Sequence, residues 1–145
     1  MAKRNVSAKL VIHKPILEVF TFITDITYYP SWSDLTLVEK NSGTGEVGTL
    51  YTLTKKTMLG VESAQVEISQ KLTPFHFAFQ DKSKDFVSEF GFRLRDMGGE
   101  TEVTAYHEAH ILFFSGFFAS NVLTGANTEL SLRNVLTKLK AAIEG

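Results

Sequence analysis

The chain has 145 residues, and its 15 basic and 16 acidic side chains give a formal net charge of -1. This length suits a single domain, and a hydrophobic content of 43% is typical of a folded globular chain. A near-neutral chain lacks the basic surface that nucleic-acid binding requires. Cysteine is absent, which excludes disulfides, thiolate metal sites and cysteine nucleophiles. We therefore expect one domain over residues 1–145 and no nucleic-acid partner.

The beginning of the chain carries positive charge but no apolar run behind it. No stretch approaches the roughly 18 consecutive apolar residues of a membrane span. These features predict a cytoplasmic protein without stable membrane insertion.

The first elements alternate between strand and helix. Apolar and polar side chains alternate over residues 6–12, which predicts a strand with one buried face. Pro15 suits the first turn of a helix, and apolar residues recur at helical spacing up to Asp25. Residues 25–32 predict a second short helix and a bend, because Pro30 interrupts a regular helix.

Six further strands are predicted, separated by turns rich in Gly, Pro, Asn and Asp. They span residues 35–40, 47–56, 61–72, 75–81, 86–96 and 101–113. Short connections between them indicate antiparallel hairpins. Residues 115–144 contain no proline and predict one long helix with Ser115 as its N-cap. The expected fold is α+β, with a curved seven-stranded antiparallel sheet wrapped around this C-terminal helix and two short helices between the first two strands.

A sequence pattern connects this order of elements to a known superfamily. The segment from Ile12 to Trp32 reads I-x-x-P-x-x-x-V-F-x-F-I-x-D-x-x-x-Y-P-x-W, and Gly45-x-x-Gly48-Thr49 opens the next strand. The chain resembles the START-like helix-grip superfamily, and within it the polyketide cyclase/dehydrase and lipid-transport (SRPBCC) families. The resemblance implies a deep apolar cavity between the sheet and the C-terminal helix. It leaves the function open, because the superfamily includes binders, transfer proteins and cyclases.

The glycine-rich segment 43–48 matches the dinucleotide pattern G-x-G-x-x-G. Strand-forming residues follow it, whereas the nucleotide motif requires a helix. We interpret the segment as a hairpin turn.

Phenylalanine is concentrated in the second half of the chain, where ten of the twelve lie between Phe75 and Phe118. This indicates either a phenylalanine-rich core or a core that also encloses an apolar ligand. Strand alternation assigns an inward set consisting of Ala64, Val66, Ile68, Leu72, Phe75, Phe77, Phe79, Phe86, Ser88, Phe90, Phe92, Leu94, Val103, Ala105, His107, Ala109 and Ile111. On the last strand the opposite, more polar set is Glu102, Thr104, Tyr106, Glu108 and His110.

On the predicted long helix, an apolar stripe of Leu132, Leu136, Leu139 and Ile143 faces the sheet. Towards the start of the helix this stripe becomes small and polar, which leaves space against a concave sheet. The expected ligand-binding residues are Tyr51, Phe77, Phe79, Phe90, Phe92, Ala105, His107, Phe118, Asn121, Gly125 and Thr128.

His107 is a polar side chain on an apolar face, so it either bonds within the core or lines the cavity. His110 lies three residues further along the same strand, and this odd spacing sends the two rings to opposite faces. We expect no metal site and no cofactor.

The first function hypothesis is binding of a small or medium-sized hydrophobic ligand, similar to a lipid, quinone or polyketide, without catalysis. The alternative is a polyketide cyclase or dehydratase in which His107 is the acid or base and Tyr51 an auxiliary donor. A further alternative is an interaction module that holds no ligand.

Two surface features concern ligand entry and assembly. Four phenylalanines bracket Ser115-Gly116 and predict an exposed gate near the cavity mouth, namely Phe113, Phe114, Phe117 and Phe118. A second apolar stripe on the long helix packs under loops or forms a two-fold homodimer, and consists of Ala119, Leu123, Ala126 and Leu130.

Overall fold

The structure is a computed structural model that describes residues 2–83, 86–111 and 128–145. The elements in chain order are β1 (Ala2–Ile12), α1 (Ile16–Thr24), a 3-10 helix (Ile26–Ser31), β2 (Leu35–Ser42), β3 (Leu50–Thr57), β4 (Gly60–Leu72), β5 (His76–Ser83), β6 (Phe86–Asp96), β7 (Thr101–Ile111) and α2 (Glu129–Glu144). The predicted order of strands and helices is confirmed.

All seven strands form one antiparallel sheet in the order β1-β7-β6-β5-β4-β3-β2. Successive strands from β2 to β7 are neighbours, as short hairpin connections require. β1 instead pairs along its whole length with β7, from Ala2 opposite Ile111 to Ile12 opposite Thr101. The α1 helix and the 3-10 helix therefore connect the two edges of the sheet.

The inner face of the sheet packs against α1 and α2 to form the core. Val19, Phe20 and Ile23 of α1 are buried at helical spacing. On α2 the predicted stripe is confirmed, because Leu132, Leu136 and Leu139 are fully buried and Ile143 packs beside them. The alternation predicted along β6 and β7 is also confirmed for Ser88, Phe90, Phe92, Leu94, Val103, Ala105, His107 and Ala109.

Two residues predicted to face inward are exposed. A bulge at Ser69 shifts the register between β4 and β5 by one residue, so Leu72 pairs with His76 on the outer face and is 63% exposed. Such a shift reverses the faces of all later side chains in the strand. Phe75 precedes β5, lies in the turn after Leu72, and is also exposed. The inward predictions for Leu72 and Phe75 are therefore wrong.

The glycine-rich segment connects β2 to β3, so its interpretation as a hairpin turn is confirmed. Gly43, Gly45 and Gly48 have φ values of 97°, 92° and 96°, a region that favours glycine. β3 begins at Leu50 rather than at Val47, which lies in the turn and is exposed.

The C-terminal helix begins later than predicted. Thr128 has extended backbone angles, and its hydroxyl accepts from the Ser131 N–H at 3.1 Å as the N-cap of α2. One unbroken helix over residues 115–144 is therefore wrong. The predicted N-cap Ser115, the gate phenylalanines and three of the four homodimer residues lie outside the described residues. The fourth, Leu130, is exposed, and the homodimer stays a prediction.

The outer face holds one buried aromatic ring, although alternation assigns Tyr106 to the polar set. The ring lies over Gly91, where an added Cβ would stand 2.6 Å from the phenolic oxygen. The Tyr106 hydroxyl donates to Glu89 Oε2 at 2.9 Å and lies 2.7 Å from His76 Nε2. Since the phenol gives its one proton to Glu89, His76 Nε2 is the donor in the second bond. Burial lowers the pKa of His76, which favours the neutral ring.

Gly91→Ala is expected to destabilise the protein by about 1–3 kcal/mol, because the new methyl overlaps the Tyr106 ring and the Ala78 Cβ at 2.7 Å. Ala78 Cβ is fixed to the backbone, so the contact is relieved only by moving a strand. Urea unfolding measures the loss. The control is Gly145→Ala, whose nearest contact is 3.6 Å away. Equal stability of both variants would contradict the close packing of Tyr106 on Gly91.

Candidate functional site

Two adjacent rows of paired residues cross the inner face of β4 to β7. The first row is Ile68, Phe79, Phe90 and His107, and the second is Val66, Asp81, Ser88 and Ala109. All eight side chains are buried. Three of them are polar, which is unusual on a face that otherwise forms the apolar core. These three polar side chains, Asp81, Ser88 and His107, define the candidate site.

Asp81 is a buried carboxylate within β5. Only 7% of the residue is exposed, and its Oδ2 has no hydrogen-bond partner among the described residues. Burial raises the pKa of Asp81, because an ionised carboxylate loses its hydration there. An isolated buried carboxyl of this kind lowers stability, so it requires an explanation other than packing.

Ser88 lies directly opposite Asp81 on β6 and is fully buried. Its hydroxyl likewise has no partner within the part of the chain that the structure describes. Directly opposed residues in an antiparallel pair have Cβ atoms about 4.5–5.5 Å apart. The two side chains therefore present an acceptor and a donor to the same small volume.

His107 occupies the neighbouring row on β7. It pairs with Phe90, so it is the diagonal neighbour of Ser88, at about 7–8 Å between backbones. The ring is almost completely buried. The prediction that His107 faces inward on an apolar face is confirmed, and its proposed role in ligand binding or catalysis stays a prediction.

The inward phenylalanines contact one another as a continuous group. Phe79 lies 5.5 Å from Phe90, and Phe90 lies edge-on to Phe92 at 5.2 Å. Phe77 contacts both Phe79, at 6.3 Å, and Phe20 of α1, at 6.5 Å. These ring geometries are favourable and fix the wall beside the polar cluster. Ala105 is buried in the same wall, beside Phe92.

Tyr51 of β3 extends the second row, because it pairs with Val66, whose other neighbour is Asp81. The residue is buried. Burial, and then the negative charge of Asp25, raises the pKa of Tyr51. Its phenol therefore keeps its proton at neutral pH and remains a hydrogen-bond donor.

The remaining predicted ligand-binding residues belong to the chain before α2. Phe118, Asn121 and Gly125 lie outside the described residues. Thr128 is described, and it is exposed with its hydroxyl engaged in the cap of α2. Its role in lining a cavity stays a prediction.

A separate groove lies on the surface between α2 and the end of the 3-10 helix. It has a volume of about 330 Å³ and is lined by Trp32, Ser33, Asp34, Ser131, Asn134, Val135, Thr137 and Lys138. An ion pair between Lys138 and Asp34 crosses it. This groove could not be predicted from the sequence, because its walls come from two distant segments.

Comparison with solved structures identifies the fold. The Zhui aromatase/cyclase from Streptomyces sp. R1128 superposes with a TM-score of 0.77 at 11% identity, over 99% of this chain and 94% of that one. A START superfamily protein from Mycobacterium smegmatis gives 0.75 at 10% identity, over 97% of both chains. The major latex-like protein 151 from Panax ginseng gives 0.75 at 14% identity, over 99% of both. The chain has the START-like helix-grip fold.

These similarities fix the fold and not the site, because 10–14% identity does not carry side chains across. Neither a protein-family model nor a curated protein matches the sequence. The helix-grip architecture predicted from the sequence is nevertheless confirmed.

Asp81 was not among the predicted site residues, because the strand was predicted to end there, whereas β5 continues to Ser83. Phe77 and Phe79 face inward, and the same alternation continued by two residues places Asp81 on the inner face. Ser88 was placed inward correctly, but without a partner across the sheet it carried no functional signal.

Asp81→Asn is expected to raise the free energy of unfolding of the ligand-free protein by about 1 kcal/mol near neutral pH, because it removes a buried unpaired charge. The raised pKa sets the pH dependence: the charged carboxylate destabilises the folded state above this pKa, and protonation relieves the cost as pH falls through it. The advantage of the variant therefore shrinks in acid. Urea unfolding at several pH values measures it.

The matched control is Glu39→Gln, which removes an exposed carboxylate and should change stability by less than about 0.5 kcal/mol. An advantage of Asp81→Asn that grows as the pH falls would show that Asp81 is not a destabilised buried acid.

Proposed function

We propose that the protein binds a small or medium-sized hydrophobic molecule between the inner face of the sheet and the C-terminal helix, with the polar group of the ligand at Asp81 and Ser88. One observation carries this proposal: the Oδ2 atom of Asp81 and the hydroxyl of Ser88, on opposed and buried residues of an otherwise apolar face, lack partners among the described residues. Ligand sites typically combine apolar walls with a few convergent polar groups. Protein cores without a ligand site rarely leave such groups unpaired.

The chemistry of the pair favours a neutral oxygen function in the ligand. A ligand hydroxyl donates to the Asp81 carboxylate and accepts from the Ser88 hydroxyl, so one group satisfies both side chains. A ligand carboxylate would instead place a second negative charge beside Asp81. The repulsion would raise the pKa of both carboxyl groups and weaken binding of the anion. The proposed ligand class is therefore an apolar alcohol or phenol rather than a fatty-acid anion.

The wall beside the pair suits a flat apolar ligand. Phe79 and Phe90 are adjacent to Asp81 and Ser88 along their strands, and their rings contact each other. Aromatic rings pack well on such surfaces. The resemblance of the fold to an aromatase/cyclase and to a START superfamily protein supports the same class of ligand.

Three probes with one carbon skeleton test the ligand class, namely naphthalene, 2-naphthol and 2-naphthoate. Isothermal titration calorimetry should show that 2-naphthol binds about tenfold or more tightly than either of the others, as expected for a hydrogen bond to a charged group. Ser88→Ala should reduce this preference, and Asp81→Asn should improve the affinity for 2-naphthoate by removing the repulsion.

The control is Ser63→Ala, which removes an exposed hydroxyl from the other face of the sheet. Its affinities should equal those of the unmodified protein. Absence of binding of all three probes would overturn the binding function. Binding that is equal in the unmodified protein, Ser88→Ala and Asp81→Asn would retain the function and overturn the assigned site.

A cyclase remains the second candidate, because His107 is the diagonal neighbour of Ser88, a position that favours acid–base chemistry on a ligand held there. In this reaction a neutral His107 removes a proton from the carbon between two ketones of a poly-β-ketone. The carbanion attacks a distant carbonyl carbon, and the alkoxide that forms takes the proton back from the imidazolium of His107, which regenerates the neutral base. Loss of water, from this hydroxyl and a second proton of the attacking carbon, then completes an aldol condensation without any oxidant or reductant.

His107→Gln separates the two functions. If the protein only binds, the variant should bind 2-naphthol within about threefold of the unmodified affinity, since glutamine also offers polar contacts. If it is a cyclase, ring closure of a synthetic 1,3,5-triketone, followed by absorbance, should slow by about 10²- to 10⁴-fold with binding retained. Equal rates of ring closure with both proteins and with buffer alone would exclude the cyclase for this class of substrate.

A further inference from the structure

The tip of the β3–β4 hairpin is the most exposed apolar feature among the described residues. Met58 and Leu59 are fully exposed, at 103% and 99%, and Val61 is 65% exposed. Single exposed apolar residues are ordinary, but a contiguous group at the end of a projecting element indicates a contact surface. We call Met58, Leu59 and Val61 the hairpin tip.

The register of the sheet shows that the hairpin tip extends past both neighbouring strands, because β2 pairs with β3 only as far as Lys55. β3 and β4 pair down to Thr57 opposite Gly60. On the other side of β4, β5 pairs with Val66 through Asp81 and ends at Ser83, which corresponds to position 64. At about 3.3 Å per residue, the hairpin extends about 13 Å beyond the end of β5.

Positive charge lies just behind the apolar tip. Lys56 is exposed two residues before Met58, and Lys55 lies one residue further back. Glu62 is opposite Lys55, so the hairpin carries a net positive charge. The lysines stand about 7–10 Å from the tip at strand spacing. This distance matches the depth of about 5–10 Å at which interfacial apolar groups enter a bilayer.

A second protein chain is a poor occupant of this surface. A stable protein interface buries about 800 Å² on each partner, whereas the hairpin tip consists of three side chains on a narrow projection. A lipid bilayer accepts a narrow apolar projection without a complementary shape, and anionic headgroups complement the lysines behind it.

We propose that the hairpin tip docks the protein reversibly on the surface of an anionic lipid bilayer, with Met58 and Leu59 at the acyl boundary and Lys55 and Lys56 among the headgroups. The docking is peripheral, since no helix within the described ranges is long and apolar enough to cross a membrane. It does not depend on the proposed ligand site. The hairpin tip lies at the end of the sheet where β5 also ends. Asp81 lies two residues before the end of β5.

Co-sedimentation with vesicles tests the proposal. Vesicles of phosphatidylcholine alone, or with about one third phosphatidylserine, are mixed with the unmodified protein, and the second should bind more protein. Met58→Ser/Leu59→Ser should lower the partition coefficient about tenfold or more on both. Lys55→Gln/Lys56→Gln should remove only the increase due to phosphatidylserine, at about fivefold per charge.

The matched control is Leu72→Ser/Met97→Ser, which removes two exposed apolar side chains at the opposite ends of the strands. This variant should bind vesicles like the unmodified protein. All four positions of the tip and control are exposed, so these variants retain the fold. Equal loss in the control and tip variants would overturn the proposal, as would the absence of binding to either vesicle.

The absence of cysteine permits a second measurement at the tip itself. Leu59→Cys, labelled with an environment-sensitive fluorophore, should shift to shorter wavelength on vesicles containing phosphatidylserine. Met97→Cys with the same label should not shift. A shift of the Leu59 label that occurs without vesicles and increases with protein concentration would show contact with a second copy and overturn the membrane assignment.

Discussion

The structure depends on keeping one face of a seven-stranded sheet away from water. Every strand alternates its side chains with a period of two, so a single choice of face fixes the whole inner surface. The buried leucines of α2 and the buried face of α1 cover that surface from one side. The bulge at Ser69 shows how strict the constraint is, because one extra residue moves Leu72 from the core to solvent.

Polar groups on this buried face lower the stability of the fold, because packing does not compensate for their lost hydration. Asp81 Oδ2 and the Ser88 hydroxyl lose hydration on folding and gain no partner among the described residues. By contrast, the outer-face network around Tyr106 is satisfied: Glu89 accepts from Tyr106, Ser69 and Gln80. The outer-face cluster therefore stabilises the fold, whereas Asp81 and Ser88 lower its stability, as is common where stability and function conflict.

The sequence predicts the fold well because its signals are local. The strands and short helices were predicted from the alternation of apolar and polar residues and from the positions of proline and glycine. The same alternation predicted which side chains from Ser88 to Ala109 face inward. The candidate site was harder to predict from the sequence, because only the pairing of β5 with β6 shows that Asp81 and Ser88 are opposed. The start of α2 was missed because Thr128 and Ser131 form a capping box without the usual Glu or Gln, inside a segment that has helical composition throughout.

The pairing of β1 with β7 joins the first and the last strand of the chain across about a hundred residues. A ribosome adding about 5–20 residues per second needs about 5–20 seconds to deliver the last strand after the first. Throughout that interval the apolar face of β1 has no partner strand, and contacts so distant in sequence also slow folding of the released chain. Polar side chains, among them Asn5, Ser7 and Lys9, alternate with the apolar ones along this strand, and charged and polar residues on an unpaired strand disfavour aggregation.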